Sequence, residues 1–418
     1  MAAGYAVEQQ GSRMQNIVFE KPYEFVPPYE GTIWIKLFTP FVNSYLKRNF
    51  GIVNVEFRDI QRLEQSLAKG HGILLAANHP RPCDPMVVGA LSIAARQPIF
   101  TMAASWLFMQ GGFQAWAVRR LGGFSVYREG LDRAAVNAAI DILATARRPL
   151  VIFAEGTVTR ANDQVFDLMD GTAFIARQGA KRRAKNGDGD VVIHPVAIKY
   201  VFHGDVEESV GRVLTDIENW LTWRPQRHLP LIKRIYRVGR ALLCLKEIEY
   251  LGRPQTGAIP DRVAGLIDHL LQPLESEWIG GNGEGNVIAR VKRLRMAILP
   301  DMVAAEIPEE ERVRRWSQLA DVYLAQQLSC YPEDYVESNP VAERLLETVE
   351  KYEEDLTDKV RIHGPMAPIV QVGEPITVDP GRPPRGEADP LLQTVHTQLS
   401  SMLASLNDEI RSDSWQQN

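Results

Sequence analysis

The chain has little of what marks several large classes of protein. It carries three cysteines in 418 residues, Cys83, Cys244 and Cys330. Their wide separation offers neither a disulfide framework nor a paired-cysteine metal site, and it points to a reducing compartment. A net charge of -5 excludes a globally basic nucleic-acid-binding chain and leaves room only for local basic patches. No stretch reaches the roughly 18 uninterrupted apolar residues of a spanning helix. Met1 to Arg13 lacks the basic start and apolar core of a signal peptide. The expectation is therefore a cytoplasmic protein without a nucleic-acid partner, which meets any lipid substrate at the membrane surface. With 45% hydrophobic and 24% charged residues the chain has the balance of a folded protein. Its length exceeds one typical compact domain.

The most informative stretch is Ala76-Ala77-Asn78-His79-Pro80-Arg81-Pro82-Cys83-Asp84-Pro85. Before it, Gly72-Ile73-Leu74-Leu75 reads as a buried strand; after it, Met86 to Leu91 reads as a helix. Pro80 and Pro82 disfavour helix for the residues preceding them, so His79 is expected in a bent loop. Asp84-Pro85 has the form of a helix start. One reading is a working pair, in which Asp84 accepts the proton on one imidazole nitrogen and leaves the other basic. The other is an ordinary loop histidine beside a capping aspartate. The two roles of Asp84 are compatible, since a carboxylate has two oxygens.

Strand and helix patterns alternate around this loop. Val53 to Phe57 alternates as a strand and Ile60 to Ala68 has helical spacing. Gln97 to Ala104 reads as a strand. Ala135, Ala138, Ala139, Ile142 and Leu143 mark one face of a helix leading into the strand Leu150 to Phe153. The spacing is that of parallel α/β units, so the fold class is α/β, a mixed and mostly parallel sheet flanked by helices. Ligand groups then gather at the carboxyl ends of the strands, where His79, Arg128 and the Glu155 loop are placed. Gly156 suits a turn whose N–H groups face an anion.

Four blocks in order resemble the motifs of the glycerolipid acyltransferase family that includes the 1-acyl-glycerol-3-phosphate acyltransferases. Asn78-His79 followed by Asp84 matches its first motif, N-H-x-x-x-x-D. Gly122-Gly123-Phe124-Ser125-Val126-Tyr127-Arg128 is similar to the second. Phe153-Ala154-Glu155-Gly156-Thr157-Val158-Thr159-Arg160 is similar to the third, with Ala154 and Val158 where the family usually has proline and arginine. Val192 to Ile198 is similar to the fourth, with His194 a core residue of that strand.

The resemblance implies transfer of a fatty acyl group from acyl-CoA or acyl carrier protein to the hydroxyl of a lysophospholipid, with 1-acyl-glycerol 3-phosphate as the first choice. His79 is then the general base and Asp84 its orienting partner. Arg128 holds the acceptor phosphate. Glu155, Gly156 and Thr157 shape the phosphate site, and Arg160 supplies a second cation in place of the missing arginine. A thioester is already activated, so neither metal nor cofactor is called for beyond the acyl carrier as co-substrate. The alternatives are another acceptor, such as glycerol 3-phosphate or an amino lipid, and a catalytically weak lipid- or thioester-binding protein on the same fold, which Ala154 and Val158 suggest.

Residues 1–50 read as an arm, Ala2 to Pro28, followed by Gly31 to Val42. That second stretch is apolar and aromatic, and it reads equally as an interfacial helix with Trp34 and Phe38 in the headgroup layer or as a helix packed on the main domain. Residues 51–205 form the acyltransferase core. Residues 206–365 are basic, amphipathic and helical. Lys233, Arg234, Arg237 and Arg240 recur there at helical spacing, fitting either an anionic membrane or a solvated helix face. Helices are expected over Asp261 to Trp278, Val287 to Leu299, Glu309 to Leu328 and Val341 to Leu356. Residues 366–418 contain Ala367 to Ile376, similar to the strand ending in G-E-P-I that the family places soon after its fourth motif, then the proline-rich loop Pro380 to Pro384 and a closing helix, Leu391 to Ile410. A rival for that strand is Ile248 to Pro254. The later copy is preferred, which makes the helical segment an insertion.

Overall fold

A computed structural model describes residues 22–415 other than 110, 131, 188, 282, 305–306, 360 and 382–388. Residues 2–21 of the expected arm and 382–384 of the proline-rich loop lie outside the described residues. The chain forms a mixed, mostly parallel sheet of eight strands flanked by helices. These are β1 (Glu56–Arg58), β2 (Gly72–Ala77), β3 (Phe100–Ala104), β4 (Gly123–Val126), β5 (Leu150–Phe153), β6 (Val191–Phe202), β7 (Met366–Val372) and β8 (Ile376–Thr377). Their order is β1-β7-β6-β2-β5-β3-β4, with β8 also on β6. Among the described residues, only β6 with β7 and β6 with β8 pair antiparallel.

The central strand β2 is buried at every residue, as expected for a parallel strand covered on both faces. Its side chains alternate between two cores. Ile73, Leu75 and Ala77 join Val87, Leu91, Ile198 and Val370 on one face. Leu74 and Ala76 join Leu143, Ile193 and the C-terminal helix Pro390–Trp415 through Val395, Leu399 and Leu403 on the other. His194 lies opposite Leu75, on the first of these two faces. Fully buried, it bonds Gly373 O at 2.8 Å and Ser66 Oγ at 2.9 Å, and burial holds its pKa below the ordinary histidine range.

The strand carrying G-E-P-I is in the sheet. β7 lies between β1 and β6, and residues 248–251 are instead the end of a helix, Leu231–Leu251. The chain between β6 and β7 is helical, including Ile259–Ile279, Val287–Val303, Glu309–Ser329 and Ala342–Thr357, close to the spans expected from periodicity. Two compact units result. One holds the sheet together with residues 206–242 and 332–365; the other is built on residues 243–331 and the short stretch that includes Arg128. In the second unit Leu266, Leu270, Leu294, Ile298, Leu319 and Val322 are buried among its three long helices. Buried ion pairs Arg262 to Glu247 and Arg290 to Glu275 add to it.

The basic helix keeps Lys233, Arg237 and Arg240 exposed and buries Arg234. Arg234 is buried against Glu218 at 2.7 Å, and Arg237 stacks over Trp223. Arg234 lies on the packed side with Ile235 and Val238, while the other three cations stay on the exposed side.

Candidate active site

The register of the sheet brings two loops together. β2 and β5 run parallel with Ala77 opposite Phe153, so the residues two places beyond them, His79 and Glu155, emerge side by side. Ala154 N–H donates to Ala77 O at 3.1 Å, which extends the ladder by one residue. Proline, the family's usual residue there, has no N–H to give. The loops are then bonded directly: His79 N–H donates to Glu155 Oε2 at 2.6 Å and Thr159 N–H to His79 O at 2.9 Å. The other oxygen of Glu155 accepts Phe166 N–H at 2.8 Å. Glu155 therefore acts on the loops and through them on His79.

Beyond Ala77 the strand β2 turns away from β6, and two asparagine amides take its place. Asn78 donates to Ile198 O at 3.0 Å and accepts Ile198 N–H at 2.8 Å. Asn162 does the same for Tyr200, at 2.8 and 2.7 Å. Each side-chain amide copies a strand peptide, so the buried backbone of β6 stays satisfied while the chain bends to form the site.

His79 sits at the mouth of this bend, 7% exposed, its ring stacked on Phe153 with centroids 4.2 Å apart. Nδ1 lies 2.8 Å from Asp84 Oδ2. The same oxygen accepts Arg81 N–H at 2.8 Å, and Oδ1 accepts the Tyr200 hydroxyl at 2.5 Å. Asp84 is the first residue of the helix Asp84–Ala94, whose cap position is Cys83 with no side-chain cap bond. Both carboxylate oxygens thus face the histidine loop and Tyr200, and capping is not the role of Asp84. With Asp84 as the acceptor at Nδ1, that nitrogen carries the proton and Nε2 holds the lone pair. Nε2 has no hydrogen-bond partner among the described residues.

The remaining expected residues separate. Gly156 has φ +73° in a tight turn, and an added Cβ would lie 2.2 Å from Met169 Sδ. Its N–H donates to Phe153 O and so does not face an anion, contrary to the expectation from the turn alone. Thr157 is half-buried in the same turn. Arg160 is buried and bonded through two nitrogens to Glu354. Arg128 is exposed and belongs to the helical unit. Sequence reasoning missed Tyr200, Asn162 and Arg81. Arg81 lies inside the first motif, whereas Tyr200 and Asn162 become visible only once β6 is paired.

Burial pushes the Glu155 carboxyl up to about 7, against the stabilising Phe166 and His79 N–H groups. Its folded pKa lies above the ordinary value of 4.5, so its contribution to stability is present below that value and is lost as pH rises through about 7. Glu155→Gln replaces one acceptor oxygen by a donor and is expected to cost about 1–3 kcal/mol at pH 5. The gap between wild type and variant should narrow towards pH 8 in denaturant titrations; a gap that widens would contradict the assignment.

The mostly parallel α/β sheet places the His79–Asp84 pair at a strand's carboxyl end, where such folds collect ligand groups. The family model described as Acyltransferase matches residues 54–199, a span that contains His79, Asp84, Arg128, the Glu155 turn and Arg160. That segment is an acyltransferase domain of the glycerolipid acyltransferase family, and it supports a transferase activity. No curated protein matches the chain. The matched span stops just before Tyr200 and takes in none of the helices between β6 and β7.

Proposed function

We propose that the chain transfers a fatty acyl group from an acyl thioester, on coenzyme A or acyl carrier protein, to the free hydroxyl of 1-acyl-glycerol 3-phosphate, working at a membrane surface. The observation that carries the reading is the 2.8 Å contact of His79 Nδ1 with Asp84 Oδ2 inside the acyltransferase domain. His79 Nε2 takes the proton of the acceptor hydroxyl as its oxygen attacks the thioester carbonyl. The carbon–sulfur bond then breaks, and the leaving thiolate recovers the proton from the imidazolium that Asp84 has stabilised. The Glu155 turn, with Gly156 and Thr157, holds the His79 loop in place.

An exposed apolar stripe supports surface docking. Ile33, Leu37, Phe41 and Tyr45 recur every four residues and are 66%, 55%, 63% and 47% exposed, with Phe113 at 69%. Trp34 and Phe38, the residues first expected in the headgroup layer, pack instead on Trp116, at centroid distances of 4.7 and 6.2 Å. They fix the stripe from behind. No helix among the described residues is long and apolar enough to cross a membrane. Ile33→Glu and Phe113→Glu should each lower binding to anionic vesicles about tenfold or more, as loss of one buried large side chain implies. Unchanged sedimentation would remove the stripe from the scheme.

An acceptor panel tests the reaction. Supplied with an acyl-CoA, the protein should acylate 1-acyl-glycerol 3-phosphate faster than glycerol 3-phosphate or an amino lipid. Preference for either of the others moves the acceptor and keeps the chemistry. Tight binding of acyl-CoA without product points to a binding protein.

A further inference from the structure

The inserted helix Ala342–Thr357 lays four carboxylates along one face, Glu343, Glu347, Glu350 and Glu354, at steps of four, three and four residues. The first two bond neutral groups of the sheet unit. Glu343 accepts Phe202 N–H at 2.9 Å, and Glu347 accepts Asn162 N–H and the Tyr335 hydroxyl. These anchor the helix. The last two meet arginines beside the histidine loop: Glu350 lies 2.8 Å from Arg81 Nη2, and Glu354 Oε2 accepts Arg160 Nε–H at 3.0 Å.

Arg81 and Arg160 are only 8% and 6% exposed. They lie close enough to repel one another, and Glu350 attracts both. Arg81 stacks over the ring of Tyr200, whose hydroxyl bonds Asp84, and its backbone N–H bonds Asp84 directly. Its pairing is incomplete. Arg81 Nε and Glu350 Oε2 are both buried without a hydrogen-bond partner among the described residues, despite the short distance between the charges. Two neighbouring guanidinium groups present up to ten N–H donors. Two carboxylates at i and i+4 supply the charge of a phosphate monoester dianion but do not use the donor of Arg81 Nε.

We infer that Arg81 and Arg160 form a phosphate-ester site next to His79, and that Glu350 and Glu354 of the inserted helix fill it as an internal competitor that the ligand displaces. The inference rests on the acyltransferase reading for the identity of the ester, not for the existence of the site. It assigns Arg81 a ligand role and gives the final turns of the helix a gating role. Bidentate phosphate contacts would use the Arg81 donor left idle in the helix-bound state.

The test removes the competing charges and keeps their shape, in Glu354→Gln and Glu350→Gln/Glu354→Gln. Inorganic phosphate should raise the melting temperature of the double variant more than that of wild type. The KM for 1-acyl-glycerol 3-phosphate should fall about tenfold, the effect of removing a competing interaction of ordinary size. Adding Arg81→Gln and Arg160→Gln should abolish the extra protection by phosphate. Equal phosphate protection in wild type and variants overturns the inference, as does protection that survives loss of both arginines. If the double variant does not fold, the single Glu354→Gln variant decides by the same two readouts. Absence of acyl transfer in every form would sink the reaction reading, while the phosphate melt still decides the site.

Discussion

Replacing His79 by alanine should lower acyl transfer by about 10²- to 10⁴-fold, the range for loss of a positioned general base, with little change in fold. The side chain touches few groups. It stacks on Phe153 and bonds Asp84, which keeps the Arg81 N–H and the Tyr200 hydroxyl when the ring is gone. Initial rates with an acyl-CoA, set beside thermal melts of both proteins, check this. A variant that melts normally and retains more than a tenth of wild-type activity would remove His79 from the chemistry.

Asp84→Asn should be nearly as damaging to the rate, for a different reason. Asp84 accepts from three donors, and an amide in its place must turn its NH₂ towards at least one of them. The expected cost in stability is about 1–3 kcal/mol for the mispaired buried group. If the amide NH₂ faces Nδ1, the histidine is driven to the wrong tautomer and its proton moves to Nε2. A loss of up to about 10⁴-fold in rate follows by analogy with other histidine–aspartate pairs. This variant also separates the two readings open at the level of sequence. Asparagine caps helices about as well as aspartate, so a merely capping Asp84 would leave the rate intact in Asp84→Asn.

Much of this site was legible before the fold. The prolines around His79 and the buried run before it located a strand-to-helix loop, and the parallel pattern placed His79 and Glu155 at the same edge, where the Ala77 to Phe153 register puts them. Local residues decide such features. The role of Glu155 was not legible, because it depends on which backbone N–H groups the two loops turn towards it. Tyr200 reads as one more strand residue until β6 is paired and its hydroxyl is seen on Asp84. Val341 to Leu356 reads from the sequence only as a helix, with nothing to single out its acidic stripe. Glu350 and Glu354 turn towards the sheet because the arginines that neutralise them, Arg81 and Arg160, come from far away in the chain. Charge patterning within one helix carries no record of such partners. On the Leu231–Leu251 helix Arg234 is hidden in the same way, its counter-ion Glu218 lying on the preceding helix, while Lys233, Arg237 and Arg240 stay exposed.

Melting curves across pH, vesicle sedimentation and phosphate protection each address one part of the scheme. The most direct measurement of its centre is product formation by the purified protein from a labelled acyl-CoA or acyl carrier protein thioester and 1-acyl-glycerol 3-phosphate, with His79→Ala run alongside. Labelled phosphatidate from wild type, together with release of the free thiol and with neither above background in the variant, is the expected result. Equal product from both proteins, or none from wild type with either donor and any acceptor of the panel, would contradict His79-catalysed acyl transfer.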